Sequence, residues 1–257
     1  MEKKDLLKDV IKHIDIKSYN STELVDAMRN MSFTSRDTAR AADILMMMCK
    51  EKECTNILTL AGSTSAAGCM QVYVDMVRNK MIDVVVATGA SIIDMDLFEA
   101  LGYKHYIGEK ENVIPDTTLR DLYIDRIYDT YIDEEELQAC DHSTYELANM
   151  LEARPYSSRE FIYEIGKWLH NGKAVKKDSL IQTCYECGVP IFVPAFSDSS
   201  AGFGIGKHQW ERMQKGEKYL SIDSVKDFVE LTQIKMQAPE TGLFMIGGGT
   251  PKNFAQD

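Results

Sequence analysis

Two hydrophobic patterns alternate along the chain, and together they predict an α/β protein. Short runs of mostly apolar residues are typical of strands buried in a parallel sheet. These runs lie at 57–61, 81–87, 190–196, 219–222 and 241–246. Stretches with the spacing of an amphipathic helix lie between them, as at 225–236. The alternation predicts a Rossmann-like parallel sheet with helices on both faces.

Residues 1–52 carry helical rather than strand patterns. Apolar residues recur at helical spacing at Leu6, Leu7, Val10, Ile11 and Ile14. Ser35 is placed to cap a second helix over 36–48. The sequence therefore predicts an N-terminal helical segment over 1–52, followed by a nucleotide-binding α/β domain over 53–257.

The composition narrows the class of function. Lys and Arg number 29 against 40 Asp and Glu, a formal net charge of −11, which disfavours binding to nucleic acid over a broad face. No uncharged apolar run reaches the roughly 18 residues that a membrane span needs, and the charged N-terminus lacks a signal-type apolar segment. We therefore expect a cytoplasmic protein with neither nucleic acid nor membrane as a partner.

Two local patterns have structural interpretations. Cys184 and Cys187 have C-x-x-C spacing, but a zinc site needs a second ligand pair, which the five histidines do not supply. The pair ends a predicted helix before Gly188, so we interpret both residues as structural thiols and predict no metal site. The acidic run 133–136 is typical of a solvated helix start.

Four turns rich in small residues follow the predicted strands. They lie at 62–68, 88–91, 197–202 and 247–249. In an open parallel sheet such turns share one crevice at the carboxyl ends of the strands. Small residues let a ligand approach the backbone, and helix N-termini offer N–H groups to phosphate. The turns therefore predict a site for a nucleotide with a pyrophosphate, although neither G-x-G-x-x-G nor a P-loop motif is present.

The same turns carry motifs that resemble the deoxyhypusine synthase family. The motifs are Gly62–Gly68, Ala87–Ala90 followed by Asp94-Met95-Asp96, Val193–Ser200 and Ile246–Phe254. The runs at 98–103 and 247–253 look most like the bacterial and archaeal deoxyhypusine synthase-like branch. The resemblance covers roughly residues 40–257. It implies a Rossmann-like sheet in a homotetramer with active sites between subunits.

The resemblance also implies an NAD-dependent transferase of polyamine metabolism. In the family, NAD takes a hydride from a polyamine such as spermidine, and an enzyme lysine captures the aminobutyl group as an imine. The group then passes to an acceptor amine, which is a protein lysine in the true synthase and a small amine in homospermidine-type enzymes.

By position, the resemblance assigns residues to NAD and to the amine. The implied NAD-binding residues are Gly62, Ser63, Thr64, Ser65, Ala66, Thr88, Gly89, Ala90, Asp198 and Gly248. From the sequence alone, Asp198 can also be a residue that holds its turn. Asp94 and Asp96 fall where the family keeps acidic residues near the nicotinamide and the amine, with one extra residue after Thr88. We favour Asp94 as the catalytic, inward carboxylate, because Asp96 can instead cap or solvate the helix.

Three features differ from the true synthase. Phe203 occupies the position where the true synthase has a substrate-binding aspartate. Asn253 occupies the position of a histidine that acts at the reacting centre. A phenyl ring cannot neutralise an ammonium and an amide cannot shuttle protons, so a diamine, agmatine or another short amine fits better than spermidine-to-protein transfer. The family's imine-forming lysine lies in a Trp-Gly-Lys segment. In this chain, neither Trp168 nor Trp210 is followed by Gly-Lys. We therefore expect the natural chain to continue past Asp257.

Two other functions remain open at this point. One is a catalytically silent NAD-binding subunit that assembles with an active paralogue, which would need no lysine of its own. The other is an NAD-consuming enzyme such as a sirtuin-like deacylase, which the missing zinc module and missing catalytic histidine disfavour.

Overall fold

A computed structural model describes residues 2–109 and 113–257 of the chain. Its α-helices are α1 (Lys3–Leu6), α2 (Thr22–Met28), α3 (Phe33–Lys50), α4 (Met70–Arg78), α5 (Phe98–Ala100), α6 (Asp116–Asp121), α7 (Glu134–Met150), α8 (Ser158–Trp168), α9 (Leu180–Cys187), α10 (Ser200–Gln214), α11 (Ser224–Gln237) and α12 (Gly249–Gln256). Its strands are β1 (Cys54–Leu60), β2 (Val84–Ala87), β3 (His105–Ile107), β4 (Ile124–Ile127), β5 (Thr130–Asp133), β6 (Pro155–Tyr156), β7 (Ile191–Phe192), β8 (Ser221–Ile222) and β9 (Glu240–Ile246). A 3-10 turn (Ile16–Ser18), a π-helix (Ala90–Leu97) and two π turns (Ser65–Cys69 and Leu169–Lys173) join them.

The central sheet has four parallel strands in the order β7-β2-β1-β9. β1 and β9 pair along their whole lengths, from Cys54 opposite Glu240 to Leu60 opposite Ile246. The chain extends the sheet from β1 through β2 to β7 on one side, and β9 returns to the other side of β1. The topology therefore changes direction between β1 and β9, which is where ligands bind in sheets of this kind.

Helices cover both faces of this sheet, which confirms the predicted α/β class. Leu58 and Leu60 point into the larger core, which contains residues of α4, α8 and α9. Ile57 points to the opposite face, in the cluster that holds Leu231 of α11 and Ala255 of α12. Adjacent residues of β1 therefore serve two different cores, as the period of two in a strand requires.

The strand predicted at 190–196 is too long, and the strand predicted at 219–222 is too long and lies outside the central sheet. The first forms β7 only at Ile191–Phe192, because the chain turns from Pro194 onward. The second shortens to Ser221–Ile222 and pairs with β6 in a separate two-stranded sheet. The acidic middle also contains an antiparallel sheet, β3-β5-β4, that the sequence did not predict. The acidic run does start a helix, since Asp133 caps α7.

The N-terminal prediction is wrong over its first half. α1 has only four residues, and residues 9–11 pair instead with β3. Ile11 N–H donates to His105 O at 2.9 Å, and Ile107 N–H donates to Asp9 O at 2.7 Å. The second predicted helix exists as α3, although it starts earlier, with Ser32 at the N-cap position. The division into residues 1–52 and 53–257 stays a prediction.

The C-x-x-C pair ends α9, as predicted. Cys184 is buried, which raises the pKa of its thiol and keeps it neutral, and Cys187 is exposed. In the part of the chain that the structure describes, no group of three or more His, Cys, Asp or Glu side chains could hold a metal ion.

Crossing a membrane requires a helix that is both long and apolar. Within residues 2–109 and 113–257, no helix combines the two properties.

Candidate functional site

The small-residue turns that follow β1, β2 and β9 meet at the carboxyl edge of the central sheet. Ser91 Oγ donates to Gly62 O at 3.1 Å and joins the turns after β1 and β2. A Cβ at Gly247 would lie 2.8 Å from Ala61 O, so the turn after β9 packs directly on the turn after β1. Thr88 N–H donates to Leu60 O at 3.0 Å and continues the ladder into the second turn. These contacts place three predicted turns in one continuous surface.

The turn after β7 joins the same surface through Gly89. A Cβ at Gly89 would lie 2.5 Å from Ser199 Cβ, a separation that only glycine permits. Ser199 holds its own turn by donating its hydroxyl to Phe196 O at 2.8 Å. Asp198 is exposed, and its carboxylate makes no hydrogen bond to another residue that the structure describes. Holding the turn is therefore the role of Ser199, and the Asp198 carboxylate faces solvent.

The turn after β1 combines an open backbone with buried side chains. Gly62 has φ 79°, and a Cβ there would meet no atom within 4 Å. Thr64 Oγ1 lies 2.7 Å from Tyr73 OH, which anchors the turn to α4. Ser65 and Ala66 are buried, and the Ser65 hydroxyl has no hydrogen-bond partner among the described residues. A ligand would therefore meet mainly backbone groups at this turn.

The turn after β9 leads into α12 at Gly248. No side chain caps the N-terminus of α12, and a Cβ at Gly248 or Gly249 would meet open space. The first N–H groups of a helix have no partners within it and favour an anion. This turn and that after β1 flank the point where the sheet changes direction, so both fit a phosphate-bearing ligand.

Asp94 lies in the π-helix that follows the turn after β2. A π-helix takes up a residue more per turn than an α-helix, so it accommodates the extra residue between Thr88 and Asp96. Asp94 Oδ1 accepts from Ser200 N–H, at the start of α10, at 2.8 Å. Burial raises the pKa of Asp94 above its usual value, and repulsion from the charge of Asp198 raises it further. Ser200 acts in the opposite direction and lowers this pKa.

Asp96 is not positioned for the substrate role that the resemblance implied. Its two oxygens accept from Leu180 N–H and Ile181 N–H, both at 2.8 Å, at the start of α9. The side chain is buried, which raises the pKa of Asp96 to about 6. The carboxylate therefore caps a different helix from its own, with both of its oxygens bound to backbone amides.

Asp141 of α7 is a residue that the sequence analysis missed. Ser200 lies beside both carboxyl groups, since its hydroxyl acts to lower the pKa of Asp94 and that of Asp141, so the two carboxyl groups flank one serine. Burial raises the pKa of Asp141 to about 6, and repulsion from Asp94 adds to the shift. Asp141 Oδ1 is buried and has no hydrogen-bond partner in the described part of the chain.

Close packing of α7 on α10 brings Asp141 to this position. A Cβ at Gly204 would lie 2.0 Å from Thr144 Oγ1 and 2.5 Å from Asp141 O. Gly204 is thus the sequence signal for the approach of a second helix, although it does not say which helix approaches. The result is an acidic pair at the carboxyl edge of the sheet.

The two residues that replace charged family positions are both on helices at this edge. Phe203 lies one turn after Ser200 on α10 and is 77% exposed. Asn253 lies in α12, one turn beyond the glycine run. The exposed Phe203 ring therefore lies one helical turn from Ser200, and a neutral amide lies one turn beyond the turn after β9.

Known proteins share both the sequence and the architecture of this chain. The family model described as deoxyhypusine synthase matches residues 23–257. A "Deoxyhypusine synthase-like protein" of Caulobacter vibrioides is 64% identical over 256 residues, which cover 100% of this chain and 69% of that protein. A protein of the same name from Coxiella burnetii is 58% identical, covering 99% of this chain and 71% of its own length.

More distant relatives agree. "Probable deoxyhypusine synthase 2" of Methanosarcina acetivorans is 39% identical, covering 95% of this chain and 68% of that protein. A crystal structure of an Entamoeba histolytica protein assigned as a deoxyhypusine synthase has a TM-score of 0.65 at 21% identity, covering 93% of this chain and 79% of that one, which supports the fold. The family model matches residues 23–257, and the bacterial relatives align with almost the whole length of this chain at high identity. The chain therefore belongs to the deoxyhypusine synthase family.

Proposed function

We propose that this chain is an NAD-dependent aminoalkyl transferase that takes its alkylamine from a cationic amine. The observation that carries the proposal is the acidic pair of Asp94 and Asp141 beside Ser200, at the same edge as the glycine-containing turns. Membership of the deoxyhypusine synthase family supports a transferase of this kind.

The turns fit a dinucleotide in three respects. Gly62 and Gly248 leave open space where a side chain would stand, α12 starts without a side-chain cap, and the Asp198 carboxylate is exposed toward solvent. We assign the pyrophosphate to Gly62–Ala66 and Gly248, and the ribose hydroxyls to Asp198. Thr88–Ala90 would line the nicotinamide half. NAD, when bound, supplies the hydride acceptor for the amine donor and returns the hydride after transfer.

The acidic pair fits a protonated amine. Two carboxylates on either side of one serine repel each other, and a bound ammonium relieves this repulsion and satisfies the buried Asp141 oxygen. An amine must be neutral to give up a hydride, and the Asp94 oxygen that is not bonded to Ser200 N–H can accept the proton, since its pKa is raised.

The neighbouring residues restrict the length of the amine. Phe203 offers an apolar wall for methylene groups but no partner for a second charge. Asn253 can donate or accept a hydrogen bond without carrying a proton at neutral pH. We therefore favour a diamine, agmatine or a similar short amine over spermidine-to-protein transfer. The lysine that forms the covalent imine stays a prediction from the family.

The test uses the full-length natural protein incubated with NAD and putrescine, spermidine or agmatine, then treated with borohydride. Intact and peptide masses that show an alkylamine on one lysine would support the proposal and identify the nucleophile. We expect Asp94→Asn to lose this adduct and Asp121→Asn, at an exposed position at the end of α6, to keep it.

The alternative of a silent subunit predicts a different result. A protein that binds NAD yet forms no adduct with any of the three amines would contradict the transferase and favour a subunit that serves an active paralogue. The homotetramer implied by the family is tested separately, by analytical ultracentrifugation of the same sample.

A further inference from the structure

We propose that His13 is a positioning residue that orders the turn after β1, so that this turn can bind NAD. This inference rests on the proposed function for its consequence but not for its geometry. Residues 9–14 run along the edge of β3 and then reach the carboxyl edge of the central sheet. His13 lies at the end of this segment, outside the residues that would touch the ligand.

On one side, His13 and its neighbours bind the end of the turn. Met70 N–H, the first amide of α4, donates to His13 Nδ1 at 3.2 Å. Ile14 N–H donates to Gly68 O at 2.9 Å. Gly68 has φ 99°, and a Cβ there would lie 2.9 Å from Lys12 O, so the two backbones are in close contact. The segment therefore fixes both the carbonyl that ends the turn and the amide that begins α4.

On the other side, His13 binds the helix that follows the second turn. His13 Nε2 lies 2.6 Å from Glu99 Oε2, and Glu99 follows the π-helix that carries Asp94. Since Nδ1 accepts from Met70, Nε2 carries the hydrogen and donates it to Glu99. His13 therefore connects the turn after β1 to the element that follows the turn after β2.

Glu99 is a fixed point for this connection. It is buried, and it also accepts from His105 Nδ1 at 2.8 Å and from Lys176 Nζ. Burial opposes its ionisation, but the hydrogen bonds from His105 and His13 and the charge of Lys176 outweigh burial and hold the pKa of Glu99 well below its usual range. An ionised carboxylate that accepts hydrogen bonds from three side chains cannot move easily, so it holds the imidazole of His13 in place.

A nearby contact provides a matched control. Lys17 Nζ lies 2.7 Å from Asp75 Oδ1 and anchors the chain just after residues 9–14 to α4. His13→Ala removes both bonds of the imidazole, whereas His13→Gln keeps a carbonyl acceptor and an N–H donor on one group. Lys17→Ala removes only the general anchoring of the segment.

The first measurement is hydrogen exchange of residues 63–70 in the full chain without ligand. We expect His13→Ala to speed exchange there about tenfold or more, because Met70 N–H loses its acceptor. His13→Gln should restore most of the protection, and Lys17→Ala should leave it at the wild-type level. Equal exchange in wild type and His13→Ala, or equal acceleration by Lys17→Ala, would overturn the inference.

The second measurement is NAD affinity by calorimetry on the same proteins. We expect His13→Ala to weaken NAD binding about tenfold, His13→Gln to recover most of the affinity, and Lys17→Ala to match wild type. Faster exchange with unchanged NAD affinity would overturn the positioning role. If wild type itself does not bind NAD, the proposed function fails, and the exchange result alone decides whether His13 orders the turn.

Discussion

The acidic pair predicts that amine binding depends on pH in a way that one substitution removes. We expect the affinity of wild type for putrescine to fall as the pH is lowered from 7 to 5, and Asp141→Asn to bind more weakly at pH 7 with a much flatter profile. The reason is that the cation needs an ionised Asp141, whose pKa is raised to about 6. The amine itself stays protonated over this range, because aliphatic amines have a pKa near 10.

The magnitude is worked from the ionised fraction. A carboxyl group with a pKa of about 6 is ionised to roughly nine tenths at pH 7 and roughly one tenth at pH 5, so the affinity falls about tenfold. Asp94 also has a raised pKa and can only steepen this fall. Binding should release protons near pH 6, since the bound ammonium favours the ionised carboxylates.

Calorimetric titration with putrescine in two buffers of different ionisation enthalpy measures both the affinity and the released protons. Asp121→Asn is the matched control, because it removes a carboxylate at an exposed position in α6. A wild-type affinity that does not change between pH 7 and pH 5, or an Asp141→Asn variant that keeps the tenfold fall, would refute the assignment of Asp141 to the amine site.

The same shift has the opposite sign for stability without ligand. The folded-state pKa of Asp141 lies above its ordinary value of 3.8, so the folded protein binds the extra proton and its stability falls as the pH rises from about 4 to about 6. Above pH 6 the penalty is constant. We therefore expect Asp141→Asn to unfold at the wild-type temperature or higher at pH 7 in thermal denaturation, even though it binds the amine less well.

Three substitutions test other parts of the site. Gly89→Ala places a Cβ 2.5 Å from Ser199, and we expect NAD affinity by calorimetry to fall more than about tenfold, whereas Gly206→Ala, whose Cβ meets open space, should keep it. Asp96→Ala should lower the free energy of unfolding in urea by about 2–3 kcal/mol, because two buried amides of α9 lose their acceptor; wild-type stability would show that the cap is dispensable. Gly68→Ala should lower the melting temperature and cost roughly 1–2 kcal/mol, since φ is 99°, and an unchanged melting temperature would contradict the strain.

The parallel sheet was predictable because its signals are local and continuous. The run 57–61 lies almost entirely within β1, and the run 241–246 lies within β9, where the small-residue turns mark the ends. β1 is buried on both faces, which requires such an uninterrupted apolar run. The positions of the turns along one edge then followed from the rules of parallel sheets rather than from any single residue.

The antiparallel sheet was not predicted, because its hairpin has a tyrosine where a turn residue is usual. β4 and β5 are joined by the two residues Tyr128 and Asp129, and Tyr128 has φ 53°. Hairpin turns normally place Gly, Asn or Asp where φ is positive. The prediction for the N-terminal segment was wrong because its apolar spacing fits a helix. Its actual partner, β3, lies about a hundred residues away along the chain.

Asp141 could not be found from the sequence, since its role depends on distance in space. It lies in an acidic helix that pattern alone assigns to solvent, and the packing of α7 on α10, with a close approach at Gly204, brings it to Ser200. Asp96 shows the reverse case. Its position in a family motif suggested a ligand, but both of its oxygens bind backbone amides of a neighbouring helix.

The π-helix over Ala90–Leu97 sets which side chain lies beside Ser200. Removal of a single residue would return the segment to α-helical geometry and rotate the residues before the deletion by about 100° relative to those after it. Asp96 and α9 would remain joined by the cap, while a different side chain would take the place of Asp94 beside Ser200. The number of residues in this one helical segment therefore decides whether a carboxylate lies beside Ser200 in the proposed amine site.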